Sequence, residues 1–103
     1  MEDRLRTLKL EDFEPLVGQT FTFSAPAGQE VETLLDHCRP LGGQTVADAV
    51  RGPFALVFTT ETREVLPQQT VKVENAALGS LEIFVVPVGP DPKGRMQYEV
   101  IFT

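Results

Sequence analysis

The stretch Ser80-Leu81-Glu82-Ile83-Phe84-Val85-Val86-Pro87 decides how this chain is read. From Ile83 onward it is apolar on both parities: Leu81, Ile83 and Val85 on one, Phe84, Val86 and Val88 on the other. A strand on an open surface alternates apolar with polar, so this pattern predicts a strand covered on both sides. One small core covers one side. A helix, a folded-back loop or another subunit has to cover the second.

Neighbouring segments extend the β reading. Thr70–Glu74 alternates Val with polar residues, and Gln97–Phe102 sets Tyr98, Val100 and Phe102 against Glu99 and Ile101. Asn75–Gly79 is short enough for a hairpin, and Val88–Gly94 is dense in turn formers. Upstream, Gln19–Ser24 alternates Phe with Thr, and Phe54, Leu56 and Phe58 share one face of Phe54–Thr59. Ala55 and Val57 make the other face of that strand apolar as well. Glu30–Arg39 has a mixed pattern, because Val31, Leu34, Leu35 and Cys38 do not share a parity; a bulge near Leu34–Leu35 reconciles them.

Leu10, Phe13, Leu16 and Val17 fit one face of a short helix over Leu10–Val17, with Glu11, Asp12 and Glu14 early in it. Pro15 limits its length and Gly18 suits its end. Such a helix closes one end of a sheet. Val46–Val50 reads as one helical turn or a loop. The expected fold is mainly β: a small antiparallel barrel or sandwich of about six strands, since closure removes exposed edges. Residues 1–103 are expected to form one domain, with a helical segment over 1–18 and strands over 19–103.

Composition narrows the function classes. The 103 residues carry nine Lys and Arg against fifteen Asp and Glu, a net charge of −6. That acidic balance disfavours phosphate backbones, so no nucleic-acid partner is expected. No apolar run reaches the roughly 20 residues that span a bilayer, so membrane insertion is not expected either. Met1–Arg6 lacks the apolar stretch of a signal peptide, which makes the cytoplasm the default, with signal-less export or incorporation into an assembly left open. The single cysteine, Cys38, makes no internal disulfide.

Several stretches together carry a resemblance. They are the Leu66-Pro67-Gln68 lead-in, Leu78-Gly79-Ser80-Leu81-Glu82, Val86-Pro87-Val88-Gly89-Pro90, Tyr98-Glu99-Val100-Ile101-Phe102 and the opening Leu10–Gln19. They resemble an uncharacterised family of small bacterial β-rich domains, over about half the chain, with Ala25–Arg63 unmatched. The resemblance implies a fold and no chemistry. It carries a loose association with phage-tail-collar-like proteins.

Residues of catalytic type are few. His37 and Cys38 are adjacent, and neighbours on a strand point to opposite faces, so they make no thiol–base dyad. Cys38 reads as a small buried hydrophobe and His37 as a rim residue. Asp91, Glu61 and Glu64 lack the spacing of a calcium loop, and one His with one Cys does not make a zinc site. Glu82 and Glu99 share parity with apolar outward residues and read as a polar rim, or as cross-strand partners of Lys72. No phosphate loop, nucleophile elbow or nucleotide fingerprint is present.

The expectation is therefore a non-enzymatic structural or assembly module without cofactor or metal. It acts through self-association (a homo-oligomer) or docking to another protein, in a phage-tail-like or extracellular assembly. The expected interface is Phe84, Val86, Val88 and Ile101, with Ala55 and Val57 as weaker members. The alternative is a small-molecule-binding barrel whose inward Phe residues line a cavity.

Overall fold

The computed structural model describes residues 7–42, 52–62 and 65–103. The predicted turn or loop at Val46–Val50 lies outside them. Six strands form: β1 (Thr20–Ser24), β2 (Glu30–Pro40), β3 (Phe54–Thr60), β4 (Gln69–Asn75), β5 (Gly79–Pro90) and β6 (Met96–Phe102). They close into a barrel in the order β1-β2-β3-β6-β5-β4, every pair antiparallel. The barrel is thus two three-stranded meanders, β1–β2–β3 and β4–β5–β6, joined edge to edge twice. β1 pairs with β4 at one junction and β3 with β6 at the other.

Each meander has a long, bulged middle strand. In β2 the register shifts between Leu35 and His37. Odd residues point inward before the shift, with Thr33 opposite Phe21 and Val31 opposite Phe23. Even residues point inward after it, with Cys38 opposite Leu56. The mixed apolar pattern of β2 follows from that one extra residue. In β5 the register shifts between Pro87 and Gly89, where Gly89 has φ +99°. That bulge lets the strand run on to Pro90, three residues past its expected end at Pro87. The hairpin loop shrinks accordingly to Asp91–Arg95.

Two of the hairpin turns share one design. In Ala25-Pro26-Ala27-Gly28-Gln29 the Ala25 amide donates to Gln29 O (2.8 Å) and the Gly28 amide to Ala25 O (2.9 Å). In Asp91-Pro92-Lys93-Gly94-Arg95 the corresponding distances are 2.8 and 2.9 Å. Proline presets the first turn residue, and glycine takes the left-handed position, at φ +100° and +83°.

Aromatic rings fill the interior. Phe58 packs edge-on against Phe21 and Phe23, each at 5.1 Å, and Phe23 meets Tyr98 at 5.7 Å. Each aromatic pair adds about 0.5–1.5 kcal/mol beyond its buried area.

The N-terminal helical segment comprises α1 (Leu10–Phe13) followed by a 3₁₀ turn (Glu14–Leu16). The Lys9 amide donates to Asp12 Oδ2 (2.8 Å) at its start, and Pro15 tightens its last turn. Phe13 is fully buried, 5.9 Å from Phe54 and 5.6 Å from Phe102, which stack on each other at 4.7 Å. The segment is a plug in the barrel end. The option that this helix covers the outer face of β5 is therefore corrected: Phe13, Leu16 and Leu10 all pack against the barrel core.

Candidate interaction surface

The outer parity of β5 is bare. Phe84 is 52% exposed, Val88 48% and, on β6, Ile101 48%, while Val86 is half-buried. Among the described residues, Val17, Leu34, Leu41 and Val65 are the other exposed large apolar residues, and none of them lies on β5 or β6. Ala55 and Val57 are different. They point outward from β3 yet are 0% and 4% exposed, so they are not available to a partner, which corrects their place in the expected interface. Arg39 stands opposite Ala55 on β2, and Glu99 stands opposite Val57 on β6. The two meet across β3 at 3.0 Å, laying the arginine stem over the small strand.

Between β5 and β6 the barrel wall opens. Their ladder runs from Pro90↔Met96 to Val86↔Glu99 and stops there, although both strands continue. Phe84 and Ile101 would form the next outward rung. From Gly79 to Val85, β5 pairs only with β4; among the described residues no strand lies on its other side. The seam is a groove of about 460 Å³. Both parities line it: Ile83, Val100 and Phe102 from within, and Phe84, Val86 and Ile101 from outside. Glu82 and Glu99 form its rim. Alternate residues of a strand aim their N–H and C=O groups to one side, so the groove offers backbone hydrogen-bonding capacity as well as apolar surface.

The two rim acids differ. Glu99 is held by Arg39. Glu82 stands opposite Lys72, as expected, but the Lys72 ammonium lies 4.0 Å from Glu74 instead. Among the described residues Glu82 has no ion-pair partner.

A polar cluster lies at the bulge of β2. Asp91 Oδ1 accepts the amides of Lys93 (2.9 Å) and Arg95 (2.8 Å), and Oδ2 accepts the Arg95 guanidinium at 2.8 and 2.7 Å. Arg95 also reaches Asp36 at 3.4 Å, and Asp36 meets His37 Nδ1 at 2.8 Å. Burial opposes ionisation of Asp91, but these hydrogen bonds and the Arg95 charge outweigh it and hold its carboxyl below its ordinary value. The cluster fastens the β5–β6 turn to β2 through Arg95, which bridges Asp91 and Asp36. Next to it an open polar hollow of about 340 Å³ carries Thr20, Glu32, Thr60 and Glu61. The hydroxyl of Thr60 there already donates to Glu32 O.

Cys38 points inward and packs against the core, whereas His37, opposite Val57, points outward. Burial, with a smaller contribution from the Glu14 charge, pushes the thiol pKa up, away from the reactive thiolate. Glu61 and Asp91 gather no third ligand; among the described residues no group of three potential metal ligands occurs, and Glu64 lies outside them. No described helix is long and apolar enough to cross a membrane.

Sequence reading reached the exposed side chains but missed the seam. Back-counting from the Asp91–Arg95 turn puts Phe102 opposite Phe84, one residue out of register, because the bulge between Pro87 and Gly89 shifts the pairing.

Fold and surface define the class: a closed six-stranded antiparallel barrel with one helical plug and an open, apolar β5–β6 seam. The chain belongs to the family described as Domain of unknown function (DUF6916), which matches residues 8–102. Comparison with curated proteins and with solved structures finds no match.

Proposed function

We propose that this barrel is a non-enzymatic assembly module that works by self-association or protein docking through its β5–β6 face. The observation that carries this reading is the coincidence of Phe84 and Ile101, each about half exposed, with a break in the sheet ladder. Contiguous large apolar side chains on a monomer surface mark an interaction site, and incomplete pairing supplies the polar component of one. The association with phage-tail-collar-like proteins fits a part that assembles, and the packed ring interior gives the ligand-barrel alternative less support.

The test is a benzoylphenylalanine at position 84, irradiated in the cells that make the protein, with the same group at Gln29 as control. A discrete adduct from position 84, absent from position 29, is expected. Its mass distinguishes a second copy from another protein. A monomer that forms no adduct from position 84 would overturn the reading.

A further inference from the structure

We infer that the occupant of the seam is an extended segment of another protein, added as a strand to the free edge of β5 with a basic residue opposite Glu82. This rests on the docking reading above and names the partner's chemistry. The edge of β5 that no described strand pairs has its own template on the opposite side. There β4 sets Val71 and Val73 against Ile83 and Leu81 on the inner face, and Thr70 and Lys72 against Phe84 and Glu82 on the outer face. A strand arriving from the seam meets the same β5 side chains. It needs the same alternation: small apolar residues toward the groove, and a cation at the Glu82 register.

Charge selects between occupants. Lys72 turns to Glu74 and leaves Glu82 without an ion-pair partner among the described residues. Each chain carries −6. A second copy brings a second net charge of −6 to the contact, which like-charge repulsion disfavours. A basic, extended segment turns the acidic rim into an attraction. Backbone pairing then gives affinity, and Glu82 gives register.

The test uses amide chemical shifts of the full chain titrated with three capped nonapeptides. Each alternates valine and threonine, with lysine, glutamate or proline at its centre. The lysine peptide should shift amides in residues 80–86 and 99–101 and slow hydrogen exchange at Phe84. The glutamate peptide should bind about threefold or more weakly, the size of a cross-strand charge pair. The proline peptide should not bind, and Glu82→Lys should invert the lysine–glutamate order. Absence of shifts at these amides with millimolar lysine peptide overturns the inference, as does binding indifferent to the central residue and to Glu82→Lys. If position 84 still yields an adduct, the docking reading survives that failure. An adduct of dimer mass makes a second copy the occupant and overturns the basic-segment inference alone.

Discussion

Tyr98 is the only tyrosine among eight aromatic residues, and its hydroxyl has a specific use. It lies inside the barrel and accepts the amide of Leu66 at 2.9 Å. Leu66 belongs to the segment that crosses from one meander to the other, and it is itself buried. Tyr98→Phe would strand a buried N–H. Thermal or denaturant unfolding should show a loss of about 1–3 kcal/mol, the cost of an unsatisfied buried donor. Asn75 acts similarly at the β4–β5 turn: its Oδ1 accepts the amides of Ala77 and Leu78, and its Nδ2 reaches Thr20 O. The sequence showed that Tyr98 points inward, because alternation is local. It could not show what its hydroxyl meets, because that partner is 32 residues away.

Among the elements, the strands were legible and their irregularities were half legible. The bulge in β2 announced itself, because Val31 and Cys38 both belong to the core yet differ in parity. The bulge in β5 did not, because Val-Pro-Val-Gly-Pro reads equally well as turn chemistry. Only pairing with β6 shows that Gly89 and Pro90 remain in the sheet. The Asp91–Arg95 turn yields a prediction in pH. Asp91 has a lowered carboxyl pKa in the fold, so its contribution is fully present above the ordinary aspartate value of about 3.9 and is lost as pH falls through the lower folded value. The melting temperature of the natural protein should exceed that of Asp91→Asn by a constant margin from neutrality down to about pH 5, and the margin should shrink in stronger acid. A margin that grew on acidification would contradict the assigned direction.

At the scale of the whole molecule, six antiparallel ladders close the barrel, and the β5–β6 ladder stops at Val86↔Glu99 although both strands run on. Seven Phe and alternating strands made a small antiparallel barrel or sandwich the natural expectation. Strand order was not legible, because the β1–β4 and β3–β6 junctions join residues far apart in sequence. The candidate surface was legible at Phe84, Val86, Val88 and Ile101, since outward apolar residues stand out against the rule of alternation. Ala55 and Val57 misled for a physical reason: they are small residues flanked by the long side chains of Arg39 and Glu99 on the two neighbouring strands, and a single strand's pattern cannot show its neighbours. The central claim is that Phe84 serves association and leaves folding untouched. It is tested most directly by Phe84→Glu in a chain bearing benzoylphenylalanine at position 88. The account predicts stability within about 0.5 kcal/mol of the unsubstituted chain, as for an ordinary surface change, together with loss of the adduct formed from position 88. A variant that unfolds, or one that keeps both its stability and its adduct, would contradict it.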